Sequence, residues 1–209
     1  MASVHTEARP EQDLTAEEQV ALMRKLFADA PEVGKRALEN VLSRLASDAS
    51  QAPPPPVESA GRVGSRIGKV SELTIIVPFA PGGAERLRTF LRLFGGNLAG
   101  ADDVGSVHDM RFVFLDNDTR MLFATAYDGD WDAYIDDFAT KIPNELDLLF
   151  CGCEGWPGIH SPEAKDWIAK YQVTAEGWYV ANPNLTVVDT RRLERNGKAL
   201  DEFLDKISD

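Results

Sequence analysis

Residues 51–70 read QAPPPPVESAGRVGSRIGKV, four consecutive prolines that pass into Gly, Ser and Arg with no apolar period. Proline has no amide proton to give to a helix or a central strand, so the run reads as a stiff polyproline II spacer and its Gly/Ser end as flexible linker. The 209 residues then divide into an N-terminal helical arm, 1–50, the linker, 51–70, and a body, 71–209. With 44% hydrophobic and 27% charged residues the chain lies in the ordinary globular range, long enough to bury a real core.

In the arm, Thr15-Ala-Glu-Glu18 is a capping box, and Val20, Met23, Leu26 and Phe27 follow at helical spacing. One helix is expected over about 15–29. A second begins near Pro31, with Val33, Leu38, Val41, Leu42 and Leu45 on its apolar face. Two amphipathic helices this short form no core alone. They pack on the body, on a second subunit, or on a separate protein partner.

After the linker the pattern turns mixed. Glu72–Phe79 is rich in β-branched residues and reads as a strand. Pro81-Gly-Gly-Ala-Glu opens a helix with Leu87, Phe90, Leu91 and Phe94 on one face, stopped by Gly95-Gly96. Val107–Leu115 and Arg120–Tyr127 read as a hairpin across Asp116-Asn-Asp-Thr119, residues that tolerate the left-handed turn. A helix over 130–151 is interrupted or bent at Pro143, a helix capped by Ser161 runs to about Tyr171, Ala175–Val180 is a fourth strand, and a helix over 193–207 closes the chain. The order β-α-β-β-α-(α)-β-α is a split β-α-β unit: an α+β, ferredoxin-like (βαββαβ) sheet with helices on one side. Its other face needs cover. Such units pair two sheets into a barrel, and the chain holds one copy of the pattern, so a homodimer is expected.

The segments Leu73–Phe79 with Pro81–Arg88, His108-Asp-Met-Arg111-Phe-Val-Phe, Leu122-Phe123, Tyr127-Asp128-Gly129-Asp130 and Glu154-Gly-Trp156-Pro157-Gly158 resemble the dimeric α+β barrel superfamily. Within it they resemble the peroxidase-annotated proteins related to dye-decolorising peroxidases. The resemblance covers about 73–180. It implies a dimeric barrel and, among the activities of the superfamily, haem-dependent peroxidase chemistry or cofactor-free oxygenation. The dye-decolorising enzymes carry a Gly-x-x-Asp-Gly motif whose Asp and a partner Arg act on peroxide. That places Asp128 and Arg111 in those roles, although Thr125 stands where the motif has its first Gly, and the chain has one ferredoxin unit where those enzymes have two.

Haem iron needs an axial donor, commonly His, in an apolar pocket. Three histidines exist. His5 lies in the arm; His108 starts a central strand; His160 precedes the capped helix, among Trp156, Pro157, Ile159 and Trp167. His160 or His108 is therefore the expected iron ligand, with Trp156 and Tyr127 beside the cofactor, and His108 also suits general acid–base work. Strict alternation puts His108, Met110, Phe112 and Phe114 on one face and Asp109, Arg111, Val113 and Leu115 on the other, so His108 and Arg111 share a cavity only across a bulge. The ordinary partner for Arg111 is a carboxylate, for instance Asp128 or Asp136.

Several classes are disfavoured. With 22 Lys+Arg against 34 Asp+Glu the net charge is −12, which argues against nucleic acid or anionic membrane as partner. No apolar run is long enough to span a membrane and no secretory leader is present, so a cytoplasmic location is expected. Cys151 and Cys153 are too close for a relaxed disulfide and read as thiols. The acidic run from Asp128 to Asp137 has Ala at 133 and 139 where an EF-hand needs Gly and Glu. Gly82-Gly83 lacks the phosphate-binding patterns. The leading expectation is a haem-dependent, peroxidase-like oxidoreductase acting on a small apolar or aromatic substrate. The alternatives are a cofactor-free oxygenase or isomerase with His108 as base, and a non-catalytic dimeric binding or scaffold protein that uses its N-terminal helices.

Overall fold

The computed structural model describes residues 14–47, 55–93 and 100–208. The chain falls into two units, residues 1–54 and 55–209. His5, Pro53, Pro54, Phe94 and the expected Gly95-Gly96 stop lie outside the described residues.

The first unit is a helix pair, α1 (Ala16–Leu26) and α2 (Glu32–Ser47). The capping box forms: Thr15 Oγ1 accepts from the Glu18 amide at 3.3 Å, and the Thr15 amide donates to Glu18 Oε2 at 2.8 Å. Pro31 supplies the carbonyl of the first turn of α2, as proline at a helix start does. Arg24 grips Glu39 with two parallel hydrogen bonds, 2.9 and 2.8 Å, joining the helices. Leu38 is buried, whereas Met23, Leu26, Val41 and Leu45 are exposed.

In the second unit the expected flexible linker is corrected. Val57–Ser59 (β1) and Ser65–Ile67 (β2) pair antiparallel, and β2 pairs with the start of β3 (Val70–Pro78). Three-residue strands are too short to show a period. Side chains add to the pairing: the Ser65 amide donates to the nearby Glu72 Oε1 at 3.1 Å, and Arg66 holds the distant Asp130 at 2.7 Å. Gly64 turns the hairpin at φ +94, where a Cβ would stand 2.6 Å from the Glu72 carbonyl oxygen.

The hairpin of β4 (Val107–Leu115) and β5 (Arg120–Asp128) forms as expected, with Asp116, Asn117 and Asp118 at positive φ. The sheet is antiparallel throughout, in the order β1-β2-β3-β5-β4. The fourth strand expected at Ala175–Val180 does not form; Tyr179 there is 84% exposed. Beside β3 one finds instead a bridge from Ile75 to Gln172 and the Val173 amide on the Thr74 carbonyl at 2.8 Å. The buried carboxylate of Glu72 explains the break: its Oε1 takes the Ala175 amide at 3.2 Å, so a side chain replaces the backbone ladder.

The remaining helices are α3 (Gly83–Leu93), α4 (Gly100–Val104), α5 (Trp131–Lys141), α6 (Pro143–Phe150), α7 (Ala164–Tyr171) and α8 (Val187–Ser208). Pro143 divides 131–150 into two helices by standing in the first turn of the second. α8 begins six residues before its expected start. Alternation sends Leu73, Ile75 and Val77 with Met121, Phe123 and Tyr127 to one face of the sheet, where Leu87, Trp131, Tyr134, Phe138, Leu146, Phe150 and Ile168 close the core. The other face carries Thr74, Ile76, Leu122, Ala124, Ala126 and Val113 together with the charged Glu72, Asp109, Arg111 and Arg120. Val113 is 43% exposed, and Thr74, Ile76, Leu122 and Ala126 are half-buried. Among the described residues no helix is long and apolar enough to cross a membrane.

Candidate functional site

The β4–β5 register shifts between Val107 and Asp109, so strict alternation fails at His108. This bulge corrects the expectation that His108 and Arg111 face opposite ways. Val107 opposes Tyr127 on the core side, Asp109 opposes Ala126, and the extra residue, His108, reaches Asp128 on the second face. The bulge is held by side chains: Asp109 Oδ1 accepts from the Ala126 amide at 3.2 Å, and Thr125 Oγ1 donates to the Asp109 carbonyl at 2.8 Å. With that proton committed, Tyr134 donates its own to Thr125 Oγ1 at 2.9 Å. Thr125, which replaces the motif glycine, is thus a buried polar tie. Sequence reasoning read Thr125 only as a departure from the motif and gave Asp109 no role; a carboxylate inside a strand, able to bond its own backbone, was the available signal.

His108 Nε2 lies 2.8 Å from Asp128 Oδ1, and Asp128 Oδ2 accepts from the Val187 amide at 2.8 Å. The carboxylate fixes the imidazole and satisfies the first turn of α8 together. The His108 side chain is one-quarter exposed. Arg111 pairs with Asp109 at 2.9 Å, and not with Asp128 or Asp136. At 61% exposure that pair contributes little to stability and leaves the guanidinium at the surface of the same face. A carboxylate-oriented imidazole with an arginine on its face is equipped to move a proton and hold an anion.

The other expected site residues lie elsewhere. Tyr127 is fully buried on the core face, stacked on Tyr134 at 3.8 Å, and its hydroxyl has no hydrogen-bond partner. Burial, with the Glu72 carboxylate nearby, holds that phenol far above its ordinary pKa; burial does the same to Tyr134. Trp156 donates to Asp147 Oδ1 at 2.9 Å and packs on Phe150 and Trp167. Asp147 also takes the Ile159 amide at 2.8 Å, so it clamps the Gly-Trp-Pro-Gly loop. His160, at the end of that loop, is exposed. The acidic run is met by cations: Asp130 by Arg66, and Asp132 and Asp136 by Lys165.

Inside the subunit these residues do not fit a haem. The gap between sheet and helices, lined by Leu73, Phe123, Phe138, Phe150, Trp156 and Ile168, is about 20 Å³, space for a single water. Cofactor pockets are roughly 300–1,000 Å³. Tyr127 fills the core and Trp156 clamps a loop, whereas His108 lies on the second sheet face and His160 is exposed. Among the described residues no group of three His, Cys, Asp or Glu could hold a metal ion. Both cysteines are free; burial pushes the Cys153 thiol up to about 12. No family model, curated protein or solved structure matches the chain.

Proposed function

We propose that the chain is a non-catalytic, homodimeric binding or scaffold protein of the dimeric α+β barrel kind, working in the cytoplasm. The observation behind it is an apolar strip on the second sheet face, over a core that is already filled. An antiparallel sheet that leaves one face to water carries polar residues there. This one also carries an apolar strip, Ile76, Leu122, Ala124, Ala126 and Val113, beside Thr74, Asp109, Arg111 and Arg120. In ferredoxin-like units such a face is closed by the sheet of a second subunit, and that closure is the proposed homodimer. The groove between α1 and α2, about 690 Å³ and lined by Val20, Met23, Leu38, Val41, Leu42 and Leu45, then serves a partner protein.

A second reading is favoured by one contact, the His108–Asp128 bond at 2.8 Å: a cofactor-free oxygenase or isomerase in which His108 removes a proton from a phenol-like small-molecule substrate enclosed between two subunits. The two readings and the haem-dependent peroxidase separate in one set of measurements. Light scattering should give a dimer mass for the native chain and a monomer mass for Val113→Arg, a substitution the folded subunit tolerates because Val113 is exposed. Added haem should give no Soret band, and phenols should not turn over in oxygen. A native monomer removes the homodimer. A Soret band lost in His108→Ala replaces the proposal with haem chemistry, and turnover lost in the same variant replaces it with the second reading.

A further inference from the structure

Helix α8 runs for 22 residues, yet every described position from Arg192 to Ile207 is exposed. Its first turn is anchored through Val187 on Asp128 and Asp189 on Lys69, and Arg191 reaches Asp102. Beyond that point the helix carries Leu193, Leu200, Phe203 and Ile207 at 48, 56, 58 and 62% exposure. At 100° per residue these four, with Asn196, Gly197 and Leu204, fall within about 60° of Leu200, one narrow stripe. In proteins most helical stability comes from packing an amphipathic face, so the stripe needs a cover.

Three features of α8 identify that cover. Leu193 and Ile207 stand seven residues to either side of Leu200, apolar at both ends of the stripe. Laid antiparallel on a second copy, Leu200 meets itself and Leu193 meets Ile207 of the partner subunit. The bulky Phe203 and Leu204 then meet Asn196 and Gly197 of the partner subunit, large against small. Gly197 supports this separately. A mid-helix glycine costs about 0.5–1 kcal/mol against alanine, and among the described residues nothing lies within 4 Å of where its Cβ would be. Close approach of another helix supplies the missing reason. Charge supports the direction: residues 191–198 carry four cations and one acid, residues 201–206 three acids and one cation. Antiparallel packing sets the basic half on the acidic half; parallel packing sets like on like.

We infer that α8 is a self-association surface, packing antiparallel on α8 of a second copy across a two-fold axis at Leu200. The inference extends the homodimer reading and stands without the sheet contact. It is tested in the full chain carrying Cys151→Ser, which removes the exposed native thiol. Leu193→Cys and Ile207→Cys variants, mixed and mildly oxidised, should form a 193–207 crosslink, and neither should crosslink alone. In the uncrosslinked protein, Leu200→Glu places like charges face to face at the axis and should weaken dimerisation by about 100-fold. Crosslinking of each variant with itself, or a dimer that gives no 193–207 crosslink, overturns the inference and leaves the homodimer standing. A monomer throughout overturns both. A 193–207 crosslink in protein whose association is indifferent to Val113→Arg supports α8 and removes the sheet contact.

Discussion

Gly83→Ala should destabilise the body by about 2–3 kcal/mol, although residue propensity predicts the reverse. Gly83 opens α3 with an ordinary helical φ, so alanine relieves conformational entropy and gains about 1 kcal/mol. Against that gain stands Gly152. A Cβ on Gly83 would lie 2.0 Å from the Gly152 carbonyl oxygen, 2.8 Å from its carbon and 3.1 Å from its Cα. Relief requires the 152 backbone to retreat by about 1 Å, since such contacts stop near 3 Å. That backbone is held on both sides, by the Ala80 amide on the Gly152 carbonyl at 2.9 Å, the Phe79–Cys153 bridge, and the Glu154 amide on the Pro78 carbonyl at 2.9 Å. Overpacking costs roughly 1–3 kcal/mol and a lost hydrogen bond about 1, which outweighs the propensity term. Equilibrium urea unfolding followed by tryptophan fluorescence reads the body, because all four tryptophans lie in it. With a slope of about 2 kcal/mol/M the midpoint should fall by about 1 M. Gly177→Ala, where a Cβ meets nothing within 4 Å, is the control. A Gly83→Ala midpoint equal to or above the native one would refute the steric argument.

Two titrations test the polar chemistry. Asp189 is held at about 2 by the Thr186 hydroxyl and amide and by Lys69. A depressed folded pKa gives stability that is present above the unfolded value and lost as pH falls through that window, so the urea midpoint should drop between about pH 4 and 2, and less steeply in Asp189→Asn. Tyr127 and Tyr134 have raised pKa values, so their contribution is present below the ordinary phenol pKa and lost as pH rises above it. Alkaline difference spectra should show two of the four tyrosines ionising only on unfolding, and Tyr127→Phe, which removes a hydroxyl without a partner, should leave stability within about 1 kcal/mol.

The legible parts of the fold were those in which neighbouring residues decide the outcome. The Thr15 box, the Asp116–Asp118 turn, the Pro143 break and the three long strands follow from caps, left-handed tolerance, a missing amide and period-two burial. Strands β1 and β2 escaped because three residues show no period and because Arg66 is held by Asp130, a partner no local window contains. The buried Glu72 dissolved the expected strand at 175–180. At the candidate site, His108, Arg111 and Asp128 were legible as residues, but their common face depends on a bulge that Asp109 and Thr125 create together. His160, Trp156 and Tyr127 shared only a composition, aromatic and apolar, which describes a filled core as well as a cofactor pocket.

Asp128 connects the two surfaces of the body that are proposed to meet a second copy. One oxygen holds His108 on the second sheet face and the other holds the Val187 amide at the start of α8. An isologous dimer has a single two-fold axis, so on the homodimer reading the sheet contact and the α8 contact must both straddle it. The position of α8 relative to the sheet is then part of the fit. A residue that ties the first turn of α8 to the last residue of β5 has a reason to be an aspartate that is independent of any chemistry at His108: each of its oxygens receives one donor, and the loss of either bond lets one surface move against the other.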